Sequence, residues 1–276
     1  MNVEYTKLTV PGIKRKYVFY HISDCHVVYA AEEDSQADKT LAEKHTEKWS
    51  IDGVKPIDAF NEALELVNGN ECDGLFITGD CADYYRPSVA DYIKRRINEC
   101  NKEVLFTYGN HEGADYSRKT DHRLAYPDYA PVMHSNPSYW VKDYGDLLVL
   151  GFDNSTKEIT CEQMDFLEKQ CSRGLPVLLL IHVPIDSDKV RIAVEKRWGS
   201  DIQQKKYFIM GFDSQSTPES GMKFAEFVKS AENIAAIFAG HIHHAHSGEI
   251  SRGKMQYTAA PTAAKYIRRI ELTPIN

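Results

Sequence analysis

Five short apolar runs in this chain end directly in side chains that bind metals, and that repeated juxtaposition constrains the fold more than any other feature. Asp24 and His26 follow the first run, Asp80 the second, Asn110 the third, His182 the fourth, and His241 and His243 the fifth. The runs are short, β-branched, aromatic or aliphatic, which is the signature of strands. In open α/β sheets ligands bind beyond the carboxyl ends of the strands, so these polar residues stand where a site belongs. Five of the eleven histidines (His26, His111, His182, His241 and His243) lie in the strand-end loops, a concentration that scattered surface histidines would not show. Alternate residues of an extended chain point the same way. Asp24 with His26, and His241 with His243, are therefore each expected to supply two ligands to one site.

The remaining elements follow from periodicity. Tyr17 to Ser23, Gly74 to Thr78, Val104 to Tyr108, Val177 to Ile181 and Ile234 to Ala239 read as strands. Ile57, Phe60, Leu64 and Val67 recur at helical spacing, with Gly69 as a stop. Ser88 to Asp91 reads as a capping signal for a helix carrying Ala90, Ile93, Ile97 and Cys100, and Thr160 to Gln163 repeats the pattern before Met164, Leu167 and Cys171. Phe224, Phe227, Val228 and Ala231 mark another helix. Tyr139 to Asp143 and Leu147 to Phe152 read as a hairpin, and Met255 to Ala259 and Tyr266 to Leu272 as two further strands. Residues 27–50 are charged with weak periodicity, a solvated helix or a lid; residues 184–218 are polar and aromatic without clear periodicity. The alternation predicts a layered α/β fold with antiparallel strands near the middle and the end. With no repeat, low-complexity tract or linker, a single domain over 1–276 is expected, with lid candidates at 27–53 and 184–218.

Composition narrows the function. With 276 residues, 42% hydrophobic, 26% charged and a net charge of -7, the chain is ordinary globular material, and its acidic balance argues against nucleic acid as a partner. Met1 to Val10 lacks the pattern of an export signal, and the longest apolar run, Leu175 to Ile185, is too short to span a bilayer. The six cysteines show no CxxC spacing, which points away from thiolate zinc and disulfide frameworks and toward a reducing, cytoplasmic setting.

The donor set mixes imidazole, carboxylate and one amide oxygen, which suits Mn, Fe, Zn, Co or Ni. The ordered blocks Asp24-x-His26, Gly79-Asp80-x-x-Asp83, Gly109-Asn110-His111-Glu112, His182 and Gly240-His241-x-His243 resemble the calcineurin-like metallophosphoesterases, in the usual order and over most of the chain, from about residue 17 to about residue 245. Each block alone occurs often by chance; the ordered set does not. The resemblance implies a four-layer αββα sandwich, two mixed sheets face to face with helices outside, and two divalent metal ions at the strand ends. It implies one ion held by Asp24, His26, Asp80 and His243, and the other by Asp80, Asn110, His182 and His241, with Asp80 as the bridge. His111 would then be the catalytic group that faces the phosphate and stabilises or protonates the leaving oxygen, oriented by Asp83. Two such cations polarise phosphoryl oxygens, clamp an in-line displacement and make a bridging hydroxide available near neutral pH. A histidine exchanges protons in the same range, and a carboxylate partner fixes its tautomer.

Taken singly, each of these residues is better read as an ordinary turn or packing group; only the set favours metal. Glu112 is balanced between a supporting role and a plain loop carboxylate. His21 reads as a packed strand histidine, His244 and His246 as surface or supporting groups, and Cys25 and Cys81 as fillers. Tyr84, Tyr85, Arg86, Tyr116, Arg118 and Arg123 are pocket candidates, and Lys196, Arg197 and Trp198 candidates to close over it, though solvation or packing is the commoner fate of each. Asp83 stands where purple acid phosphatases carry a metal-binding tyrosine, and Tyr84 and Tyr108 stand where protein Ser/Thr phosphatases carry arginines, which disfavours phosphoprotein substrates. The family's DNA-repair nucleases have a longer chain with a further domain, which is not expected here. A small phosphomonoester or phosphodiester is the expected substrate. The contrasting expectation is a non-catalytic metal-binding or scaffold protein on the same fold, which would be expected to lack a ligand or His111.

Overall fold

The computed structural model describes residues 1–114 and 122–275. In chain order the elements are β1 (Asn2–Thr9), β2 (Tyr17–Ile22), α1 (Gln36–Trp49), α2 (Pro56–Asn68), β3 (Gly74–Thr78), α3 (Pro87–Asn98), β4 (Val104–Thr107), α4 (Tyr126–Tyr129), β5 (Tyr139–Asp143), β6 (Leu148–Phe152), α5 (Cys161–Cys171), β7 (Val177–Leu180), α6 (Asp188–Trp198), α7 (Ile202–Phe208), α8 (Glu219–Ser230), β8 (Ile234–Ala239), β9 (His246–Ser251), β10 (Lys254–Thr258) and β11 (Tyr266–Thr273).

The strands form two mixed sheets, ordered β1-β11-β2-β3-β4 and β5-β6-β7-β8-β10-β9. In the first, β2, β3 and β4 run parallel; in the second, β6, β7, β8 and β10 do. The sheets pack face to face over Phe19, Phe76, Trp140, Leu147, Val149, Leu178, Phe238 and Ile270, all buried. Burying side chains of this size contributes about 1.5–3 kcal/mol each. Hydrogen bonds tie the layers, among them Trp140 Nε1 to the Phe106 carbonyl at 2.9 Å, Thr107 Oγ1 to the Phe152 carbonyl at 2.8 Å and the Arg268 guanidinium to the Thr258 carbonyl at 3.3 Å. α2 and α3 cover the outer face of the first sheet, and α5 and α8 that of the second. This is the αββα sandwich expected from the resemblance, and it gathers the loops after β2, β3, β4, β7 and β8 on one edge.

Local expectations met this architecture unevenly. The Thr160 capping box forms in both directions, and the β5–β6 pair is antiparallel. α3 starts one residue before the Ser88 signal, because Pro87 takes the first helical turn and no side chain caps it. Segment 184–218 is not a featureless loop: it holds α6 and α7, which share an apolar cluster of Val190, Ala193, Val194, Phe208 and Ile209 with Ile242. β1 and β9 gave no pattern in the sequence because most of their residues face solvent or are only half-buried. No helix among the described residues is long and apolar enough to cross a membrane.

Candidate metal centre

The seven residues expected to hold metal converge on one buried cluster. Ligand atoms of Asp24, His26, Asp80 and His243 lie within 4.8 Å of one another, as do those of Asp80, His182 and His241, and Asp80 belongs to both groups. Asn110 Oδ1 joins the second group, 3.1 Å from His182 Nε2. His26 Nε2 and His243 Nε2 face each other at 3.1 Å, with Asp24 Oδ1 3.3 Å from the latter.

The donor chemistry fits a cation. His182 Nδ1 donates to the Thr78 carbonyl at 2.7 Å, so Nε2 carries the lone pair of the neutral ring. That nitrogen points at Asp80 Oδ2 at 3.1 Å, Asn110 Oδ1 at 3.1 Å and His241 Nδ1 at 3.2 Å. An imidazole lone pair set against a carboxylate and an amide oxygen favours a positive charge among them. Without a metal, a proton does this work: burial opposes the charge on His182, but Asp80 and Asp24 hold its pKa up at about 10. Burial resists ionisation of Asp80 too, yet the His182 and His111 charges hold its carboxyl well below the usual range. His26, by contrast, is pushed down to about 4 by burial and by its neighbours His111 and His243, and burial likewise drives His241 well below its ordinary value. Both stay neutral with lone pairs to offer.

The backbone that presents these groups is not the extended chain the alternation argument assumed. Asp24, His26, Asp80, His241 and His243 all have φ between 45° and 68°, five of the ten non-glycine residues in the left-handed region among those described. Such conformations cost of order 1–3 kcal/mol each and persist where the surroundings over-determine them. The loops are held by Asp24 N–H to the Gly79 carbonyl at 3.1 Å, His26 N–H to the Asp80 carbonyl at 2.9 Å, and the His241 N–H to both Asp24 oxygens at 3.0 and 3.1 Å. The flanking glycines are required by space: a Cβ at Gly109 would lie 2.3 Å from the Asp80 nitrogen, and one at Gly240 would lie 1.8 Å from Ser23 Oγ.

Glu112 resolves as the organiser of two loops. Fully buried, it accepts backbone N–H groups from Asp80 (2.9 Å), Cys81 (2.5 Å), Ala82 (3.1 Å) and Gly109 (2.7 Å). Asn154, unforeseen in the sequence, does the same for the fourth loop, accepting from the His182 and Val183 N–H groups at 2.9 Å. His111 sits at the cluster's edge, half-buried. Its N–H donates to Asp80 Oδ1 at 2.8 Å, and its Nδ1 donates to the Asp83 carbonyl at 2.6 Å, with Asp83 Oδ1 at 3.4 Å. Burial opposes its charge, but Asp80 and Asp83 raise its pKa to about 9.

Residues that sequence reasoning passed over close the rim. His45 Nδ1 donates to Asp83 Oδ2 at 2.6 Å, and the Trp49 indole stacks on the His26 ring, centroids 3.8 Å apart and planes 1° from parallel. Trp198, a closing candidate, lies 5.6 Å from the His243 ring, and Tyr207 and Phe208 lie 5.3 and 5.1 Å from His241. Other candidates have structural partners: Tyr85 donates to Asp128 at 2.5 Å, Arg86 pairs with Asp38 at 2.9 Å, and Tyr84 is buried. Arg197 stacks its guanidinium over Trp198 and Lys196 is exposed. Arg123 is exposed, while Tyr116 and Arg118 lie outside the described residues. His21, fully buried, pairs with Thr78 Oγ1 at 2.8 Å, and neither His244 nor His246 enters the ligand groups.

Two face-to-face mixed sheets with histidines and carboxylates converging at their strand ends define an α/β sandwich with donor groups that could hold a cation. The chain belongs to the calcineurin-like phosphoesterase family, whose model matches residues 17–245. Among solved structures it is similar to a dimetal phosphatase from Danio rerio, at 11% identity over 91% of this chain and 89% of that one, with a TM-score of 0.57. It is also similar to the phosphopantetheinyl hydrolase of Mycobacterium tuberculosis, at 11% identity over 91% and 92%, with a TM-score of 0.50. At these identities the likeness is one of fold. Comparison with curated protein sequences gives no match.

Proposed function

We propose that this chain is a phosphoester hydrolase that uses two divalent cations, drawn from Mn, Fe, Zn, Ni or Co, to act on a small phosphorylated molecule, a monoester or a diester. The observation that carries this reading is the membership of Asp80 in two of the three donor groups, the third being His26, Asp83 and His111, since a carboxylate has two acceptor oxygens and can serve two ions at once. Asp24, His26, Asp80 and His243 would hold one cation, and Asp80, Asn110, His182 and His241 the other. When bound, such a pair polarises phosphoryl oxygens, aligns the displacement and activates water.

The chain's own side chains supply the rest. His111 would hold a proton at Nε2 for the oxygen that leaves as the P–O bond breaks, because its Nδ1 is engaged by the Asp83 carbonyl. Glu112 fixes the Asp80 and Asn110 loops relative to each other, and Trp49 and Trp198 keep water from the sides of His26 and His243. The six free cysteines agree with a reducing compartment, and we place the protein in the cytoplasm. Segments 27–53 and 184–218, within one domain, would act as the lids of the site.

The test loads the purified protein with Mn, Ni, Co or Zn and measures bound metal and hydrolysis of p-nitrophenyl phosphate and bis-p-nitrophenyl phosphate. We expect two equivalents of metal and turnover of at least one ester; absence of turnover with every metal would favour the scaffold alternative. Asp80→Ala should lose both equivalents and lower turnover by more than about a hundredfold, the upper range for residues that only support a ligand. A variant that keeps both metals and full activity would refute the shared ligand.

A further inference from the structure

His45 and Trp49 lie four residues apart on α1, so they share one face of the helix. That face meets the candidate centre. Trp49 stacks flat on His26, which fixes the rotation of the helix and so the position of His45. His45 Nδ1 donates to Asp83 Oδ2 at 2.6 Å, while the other carboxylate oxygen, Oδ1, lies 3.4 Å from His111 Nδ1 and 3.6 Å from His26 Nδ1. The first distance is that of a strong, charge-assisted hydrogen bond; the other two are longer and weaker contacts. The terminal torsion of an aspartate is broad and two-fold, so a short bond to one oxygen restricts where the other points.

We infer that His45 is a positioning residue for the Asp83–His111 pair: by fixing Asp83 Oδ2 it keeps Oδ1 turned toward the His111 imidazole and, together with the 2.6 Å bond from His111 Nδ1 to the Asp83 carbonyl, keeps His111 Nε2 aimed at the leaving oxygen. This role rests on the phosphoesterase reading above. His45 exchanges no proton in the reaction; the proton moves only from His111 Nε2 to the oxygen whose bond to phosphorus breaks. The consequence is selective, because a poor leaving group needs that proton and a good one does not.

The test compares wild type, His45→Ala and His45→Asn on aryl phosphate esters of the type the wild type accepts, with phenol and 2,4-dinitrophenol as leaving groups. For His45→Ala we expect kcat on the phenyl ester to fall by about 10- to 100-fold, the usual cost of removing an orienting partner. On the dinitrophenyl ester the loss should be under about threefold, with KM and bound metal unchanged. His45→Asn, whose amide can donate from near the Nδ1 position, should recover much of the phenyl rate. Crystal structures of the metal-free wild type and His45→Ala give a second readout, in which Asp83 should swing away from His111 in the variant. Equal losses on both esters, loss of metal, no recovery with Asn, or an unmoved Asp83 would each overturn the positioning role. A wild type that hydrolyses no ester would overturn the phosphoesterase reading and this role with it, whereas an active wild type matched by His45→Ala would overturn this role alone.

Discussion

Two helical segments cover the candidate centre, and they attach to it by opposite means. α6 and α7 carry an apolar cluster of their own, with Trp198 stacked on Phe208 at 4.8 Å and its Nε1 donating to the Ile242 carbonyl at 2.9 Å. α1 buries one residue, Ala42, and reaches the site through the His45 hydrogen bond and the Trp49 stack. A cover with its own core is anchored whatever the centre contains. A cover held by the site's own groups is coupled to them, so a change at the centre is a change in the cover.

The largest effect that would sharpen this contrast is Phe208→Ala. Removing a buried phenylalanine costs about 3–5 kcal/mol where the surroundings cannot collapse, and here the loss falls on the small cluster that unites α6 and α7. Hydrogen exchange should show protection lost over residues 188–208 while residues 36–49 keep theirs. If both segments loosen together, they are one cover and the contrast is broken. Trp49→Ala should give the reverse pattern. An aromatic pair is worth about 1 kcal/mol beyond its buried area, and Trp49 is only half-buried, so denaturation should shift less than for Phe208→Ala. Freeing the His26 ring should weaken metal binding about tenfold, measured by competition with a chelator. A variant with unchanged metal affinity would show that the indole covers His26 without holding it.

The difference between the covers also explains what could be read from the sequence. The five strand-end loops were legible because a short apolar run that stops at a metal-competent residue is visible without neighbours, and the order of those stops matched a known family. Phe208 and its partners, by contrast, were hidden because α6 buries only Val190, Ala193 and Val194, too few for a periodic stripe. His45 and Trp49 were hidden for a different reason: hydrophobic periodicity detects faces that bury apolar surface, and α1 sets only Leu41 and Ala42 against the core while its site-facing residues are imidazole and indole against imidazole and carboxylate. The left-handed backbone at Asp24, His26, Asp80, His241 and His243 was misread as extended chain, since local propensity gives no warning of a conformation that only tertiary hydrogen bonds impose. Glu112 stays balanced between a supporting role and a plain loop carboxylate in the sequence, because its four N–H partners come from a segment about thirty residues away and from Gly109.

The smallest effect is the most discriminating. Both covers begin with a serine cap: Ser35 Oγ accepts from the Asp38 N–H at 3.2 Å, and Ser187 Oγ from the Val190 N–H at 3.3 Å. Removing either hydroxyl costs about 0.5–2 kcal/mol of helix stability, and these long bonds belong at the low end. The chemistry lost is the same at both positions. Its consequence should differ, because α6 is still held by its own apolar cluster when its first turn frays, whereas α1, which buries Ala42 alone and pairs Asp38 with Arg86, leans more on its two site contacts. Ser35→Ala should therefore raise exchange along the whole of α1 and lower the phenyl-ester rate slightly through His45, while Ser187→Ala should raise exchange in the first turn of α6 alone. Equal responses would mean that α1 draws its stability from the helix itself, and that its contacts with Asp83 and His26 follow from its position without securing it.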